Sequence, residues 1–122
     1  MADRAIMVWG EIPVTDMEKA VNFYSKVFGY DMKIDNSGPN PVANLGDQMN
    51  TAGAHIYPGK PATGNGNTIH IALPDALDAG MQRCWDAGGE VIGEPIPLPV
   101  GRFVYAKEPD GNSIGLFEAS GV

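Results

Sequence analysis

Two side chains able to do chemistry sit on strand-like segments: Glu11 in "WGEIPV" (9–14) and His70 in "NTIHIAL" (67–73). An imidazole can bind a metal, exchange protons near neutral pH, or serve a pocket as a hydrogen-bonding group. A carboxylate beside it would complete a general acid–base pair. Strand alternation assigns the faces. Ile69, Ile71 and Leu73 form a face that packs under a helix, which turns Thr68, His70 and Ala72 the other way. In the first segment Ile12 and Val14 take the packed face, and Trp9, Glu11 and Pro13 the open one. Near the C-terminus Ser113, Gly115 and Phe117 share the open face, which sends Glu118 outward. The expected interior therefore holds Glu11 and His70 as the catalytic candidates, with Trp9 and Phe117 able to stack on a planar ligand. Arg102 is a candidate rim residue for an anionic group. Three readings of His70 stay open: a metal-free pocket residue, a metal ligand partnered by Glu11 or His55, and a packed residue on the outer face. His55 itself, next to Tyr57, reads as a strand-end surface residue.

Two helices must position these strands. "TDMEKAVNFYSKVFG" places Met17, Ala20, Val21, Tyr24, Val27 and Phe28 at helical spacing, with Thr15 and Glu18 in a capping-box pattern and Gly29 as the stop. "DALDAGMQRCWDAGG" follows Pro74 with Asp75 as N-cap and carries Leu77, Met81, Cys84 and Trp85 on one face. The helices are copies in register: Asp16 and Asp75, Ala20 and Ala79, Gly29 and Gly88 are each 59 positions apart. A constant offset near half the chain reads as an internal duplication. It also sets Ile12 against Ile71, Val14 against Leu73, and Glu11 against His70. Strands are expected at about 30–35, 42–46 and 53–57, and again at about 90–94, 103–107 and 113–118, with "EPDGN" (108–112) as a hairpin turn. "EPIPLPVGR" (94–102) reads as a stiff, proline-rich loop. The expected organisation is one domain over 1–122: a βαβββ module at about 4–58, a linker at 58–67, and a second module at about 68–120.

Composition narrows the partners. With 15 acidic against 8 basic residues the formal charge is −7, and no basic stripe suits a nucleic acid. The apolar runs are too short for a membrane span, and the N-terminus lacks the pattern of a secretory signal. Cys84 is the single cysteine, so no intrachain disulfide can form. A cytoplasmic location is the expectation, and the acidic balance leans toward neutral or cationic small molecules as partners.

The phrases "VTDMEKAVNFYSKVFGY", "DAGGEV" and "GRFVYAKEPDGNSIGLFE", spread over nearly the whole chain, resemble the vicinal oxygen chelate superfamily. That group includes glyoxalase I, extradiol dioxygenases, and the fosfomycin- and bleomycin-resistance proteins. The resemblance implies an α+β fold in which two βαβββ modules form a half-open, cup-shaped β-barrel flanked by helices. It also implies a small-molecule cavity and a homodimer. Its metal enzymes hold one divalent ion by His, Gln and Glu from strands of both modules. Carried over residue by residue, the first-strand ligand position falls on Trp9, and the last-strand glutamate on Gly115. The fourth-strand position falls near Ala54, one residue from His55. The fifth-strand position falls on His70 if the junction at Pro74 is shortened, and otherwise on Ile69. The resemblance thus implies a small-molecule binder or divergent enzyme with no cofactor in the standard metal position. The alternatives are a divalent-metal-dependent lyase or oxygenase with rearranged ligands, and a resistance-type dimer that sequesters a drug. An enzyme here would be a glyoxalase-like lyase or a dioxygenase-like oxidoreductase.

Overall fold

A computed structural model describes residues 9–46, 53–63 and 65–120. The elements run β1 (Trp9–Val14), α1 (Met17–Phe28), β2 (Ala43–Leu45), β3 (Gly53–Pro58), β4 (Ile69–Ala72), α2 (Leu77–Asp86), β5 (Glu90–Leu98), β6 (Gly101–Lys107) and β7 (Ser113–Ala119). They form a three-stranded sheet ordered β1-β3-β2 and a four-stranded sheet ordered β4-β7-β6-β5. The fold is α+β and cup-like, with two open sheets rather than a closed barrel.

The duplication read from the helix phrases is visible in the pairing. In each half the strand before the helix lies parallel to the last strand of its module: β1 on β3, and β4 on β7. Ile12 and Val14, and their counterparts Ile71 and Leu73, are all buried beneath the helices. α1 adds Phe23, Tyr24, Val27 and Phe28, and α2 adds Leu77 and Cys84, to one core shared by both modules. Two-residue alternation in the strands and the apolar stripe on each helix account for this core.

Local details depart from expectation for identifiable reasons. α1 is capped by Asp16, whose carboxylate accepts from the Lys19 N–H at 3.1 Å. Thr15 is drawn away, donating its N–H and its hydroxyl to the Asp110 carboxylate of the distant 108–112 turn. α2 starts after Ala76 with no side-chain cap of its own. Glu118 of β7 supplies the missing acceptor, taking the Leu77 N–H at 2.7 Å, while Asp75 is clamped by both terminal nitrogens of Arg83 at 2.8 Å. Trp85 is 53% exposed because the buried line of α2 runs through Leu77, Gly80 and Cys84. Gly80 lies so close to β4 that a Cβ there would stand 2.6 Å from Leu73 Cδ2.

The strand expected at 30–35 buries Met32 but, among the described residues, pairs through one bridge, Asp35 with Val42. Between those two residues lie Pro39 and Pro41, which cannot donate to a ladder. The proline-rich 94–102 segment belongs largely to β5 rather than to a loop. Pro95 and Pro97 are tolerated because β5 is an edge strand, and Gly93, at φ 78°, opens the bulge between Ile92 and Ile96.

The 108–112 turn also joins the modules. Besides Asp110 on Thr15, the Asn112 side-chain amide donates to the Pro13 carbonyl at 2.7 Å. Glu108, buried at the base of this turn, takes the Asp110 and Asn112 N–H groups on Oε1. Its other oxygen accepts from the Tyr24 hydroxyl of α1 at 3.3 Å. Burial raises the Glu108 pKa above the ordinary carboxylate value, against the lowering effect of those N–H donors. Burial, with the nearby Glu108 charge second, pushes Tyr24 well up.

Candidate functional site

The faces of the two sheets turned away from the helices carry the candidate residues, and each sheet assembles a different group. On the first sheet, the β1–β3 register sets Trp9 beside Gly53, Glu11 beside His55, and Pro13 beside Tyr57. The Trp9 indole Nε1–H donates to His55 Nδ1 at 2.9 Å. His55 Nε2 then faces Glu11 Oε2 at 3.4 Å. The imidazole is held between a donor and a carboxylate, with 16% of its side chain exposed against 64% for Glu11. Tyr57 meets the His55 ring edge-on, at 6.2 Å between centroids.

This arrangement decides the state of the ring. A nitrogen that accepts from an indole N–H must keep its lone pair, so the neutral imidazole carries its proton on Nε2. A metal-bound histidine has the opposite arrangement, in which the second ring nitrogen donates. With Nδ1 receiving the indole proton, His55 has no lone pair left on Nε2 for an ion. Glu11 Oε2 faces that Nε2–H at 3.4 Å, long for a hydrogen bond, and the Glu11 side chain is largely exposed.

A cavity of about 480 Å³ adjoins this relay. Glu11, His55 and Tyr57 form one wall, and the 35–42 segment, with Asp35, Pro39 and Val42, forms another. The Ser37 hydroxyl and N–H both donate to Asp35 and hold its carboxyl below the usual carboxylate value. Among the described residues neither lysine nor arginine lines the cavity.

On the second sheet, His70 is exposed and lies beside Gly115 of β7. Its ring meets Phe103 edge-on at 4.8 Å and Tyr105 at 5.9 Å. Gly115 is what admits the ring, since a Cβ there would collide with the imidazole. Phe117 pairs with Phe103 on the same face, and Ile92, Ile96 and Leu98 extend it toward the β5 edge as exposed apolar residues.

The structure therefore does not join Glu11 to His70. Glu11 meets His55 on the first sheet, and His70 lies among aromatic rings on the second. Trp9 faces the site as a hydrogen-bond donor to His55. Arg102 turns to the helix side, where its Nε donates to Glu118 at 3.0 Å and its guanidinium approaches Asp78 at 4.0 Å. The Leu77 N–H first, and then the Arg102 guanidinium, lower the Glu118 pKa. Among the described residues no three His, Cys, Asp or Glu side chains converge as a metal cluster would. His55 is the residue whose role the sequence undervalued. The signal was the parallel pairing that duplicated βαβββ modules impose, which brings position 55 level with position 11.

Comparisons with known proteins bear on the same geometry. A model of the Glyoxalase/Bleomycin resistance protein/Dioxygenase superfamily matches residues 6–116. The chain belongs to that superfamily. CFP32 of Mycobacterium tuberculosis is 32% identical over 109 residues, which are 86% of this chain. That match spans 41% of CFP32, so the chain covers less than half the length of this relative. The superfamily fold is matched by a glyoxalase/bleomycin resistance protein from Albidiferax ferrireducens at TM-score 0.72 and 22% identity, covering 93% of this chain and 98% of that one. TnmS3, an antibiotic binding protein from Streptomyces, matches at TM-score 0.65 and 26% identity, covering 98% and 100%. Among the described residues no helix is long and apolar enough to cross a membrane.

Proposed function

We propose that this superfamily member is a small-molecule-binding protein or divergent enzyme that works without the superfamily's divalent-metal centre. The observation that carries the reading is the Trp9–His55 hydrogen bond. It puts an indole where a metal ligand would be expected and commits the neighbouring imidazole to donating from Nε2. His70, the other imidazole, has Gly115 beside it in place of the carboxylate the metal enzymes use. The residues present do not fit that ion. The ligand enters the cavity beside Glu11 and His55, with Glu11 the group able to take or hold a proton. The likeness to TnmS3 supports binding as the activity.

A homodimer fits this reading. Ile92, Ile96, Leu98, Val100 and Tyr105, on β5, β6 and the turn between them, are 38–65% exposed and offer an apolar surface that a second copy would cover. We place the protein in the cytoplasm. The experiment is elemental analysis of protein purified without tag or chelator, followed by calorimetric titration with Ni, Zn, Mn and Fe(II). The reading expects substoichiometric metal and no saturable heat. One tightly held ion per chain, lost in His55→Ala or His70→Ala, would overturn it.

A further inference from the structure

We propose that the first-sheet cavity recognises an uncharged planar group with an N–H beside a C=O, as in a carboxamide, lactam or ureide, and that Trp9 sets this specificity. The inference rests on the metal-free reading and names the ligand chemistry of that site. Two atoms face the ligand at the relay: a Glu11 carboxylate oxygen, which accepts, and His55 Nε2–H, which donates. They lie 3.4 Å apart, a spacing that the two adjacent polar atoms of one amide edge can span with a pair of parallel hydrogen bonds. The 3.4 Å contact between them is long for a hydrogen bond, so little is lost when a ligand intervenes.

Other ligand classes leave a partner unmatched. A carboxylate or phosphate would accept from His55 but bring its charge against Glu11 and Asp35, with no lysine or arginine among the described wall residues to offset it. A guanidinium or ammonium would suit Glu11 but turn a donor toward the His55 N–H. A group that presents a donor and an acceptor together satisfies both, and a planar amide edge does so with the two atoms already fixed side by side. Trp9 is a positioning residue, acting on the ligand through the tautomer of His55. Without the indole N–H the imidazole could carry its proton on either nitrogen, and the choice between amide and acid would weaken.

The test compares nicotinamide with nicotinate, which share a ring and differ in the edge presented. Amide chemical-shift perturbations of the wild-type protein would be followed as each probe is added. Nicotinamide is expected to give saturable shifts at Glu11, His55 and Tyr57, and nicotinate to bind at least about tenfold more weakly, the equivalent of one mismatched hydrogen bond. Glu11→Ala, at an exposed side chain whose removal leaves the core intact, should abolish the nicotinamide shifts. Trp9→Phe should narrow the difference between the probes. Equal or tighter binding of nicotinate, nicotinamide shifts that survive Glu11→Ala, or binding of neither probe would overturn the proposal. Those failures with a silent metal titration would sink this inference alone. A stoichiometric metal would sink the reading beneath it.

Discussion

Replacing Glu108 should separate its role as a hydrogen-bond acceptor from its role as a buried charge. One oxygen takes two backbone N–H groups at 2.6 and 3.1 Å, and the other takes the Tyr24 hydroxyl at 3.3 Å. Glu108→Ala strands all three donors. At roughly 1–3 kcal/mol for each buried donor left unsatisfied, and with water reaching the half-buried turn amides, the loss should be about 3 kcal/mol. That is a fall of about 10 °C in Tm for a domain of this size. Glu108→Gln keeps a carbonyl for the two N–H groups and offers its amide to the Tyr24 oxygen, so its cost at neutral pH should stay under about 1 kcal/mol. The sign with pH follows from the raised native pKa. The folded protein binds this proton more tightly than the unfolded chain, so the wild type loses stability as pH rises from about 4.5 through the native value. Glutamine does not titrate, so Glu108→Gln should gain on the wild type over that interval. Urea unfolding at a series of pH values measures both effects. Equal destabilisation by Gln and Ala, or a wild type that gains on Gln as pH rises, would refute the assignment.

Two further outcomes follow from close contacts. Gly115→Ala should push the His70 ring off Phe103 and cost about 1–2 kcal/mol, combining overpacking with a lost aromatic contact. In a His70→Ala background the same change should cost little, and a double-mutant cycle by thermal unfolding reads the difference. Cys84 is buried, and burial raises its thiol to about 11. Iodoacetamide at pH 8 should leave it unmodified in the native protein and alkylate it at the rate of a free thiol in urea, as followed by mass spectrometry.

How far the sequence exposed this molecule depended on how local each determinant was. The buried faces of β1 and β4 were legible because Ile12, Val14, Ile71 and Leu73 alternate within a few residues. The glycine stop of α1 was legible because Gly29 ends an apolar stripe and takes φ 77°. The 59-residue offset made the duplicated architecture readable without any contact information. Partnerships across the chain were not readable in this way. Glu11 meets His55 only because β1 and β3 are neighbours in the sheet. Asp110 and Asn112, which read as turn residues, fasten the turn to Thr15 and Pro13 more than ninety positions away. The cap of α2 comes from Glu118, which no pattern around Asp75 could reveal. The second-sheet cluster of His70, Phe103 and Tyr105 needed the β4-β7-β6 order before its members could be seen as neighbours.

The central claim is that Trp9 commits His55 to donating from Nε2. Long-range ¹H–¹⁵N correlation of the histidine rings above the titration range reads the tautomer directly, with His70→Ala used to assign the two spectra. The account predicts a His55 Nδ1 shift typical of an acceptor and an Nε2 shift typical of N–H, with the pattern becoming mixed in Trp9→Phe. A His55 ring protonated on Nδ1 in the wild type would contradict it, and would return Nε2 to the pool of metal ligands.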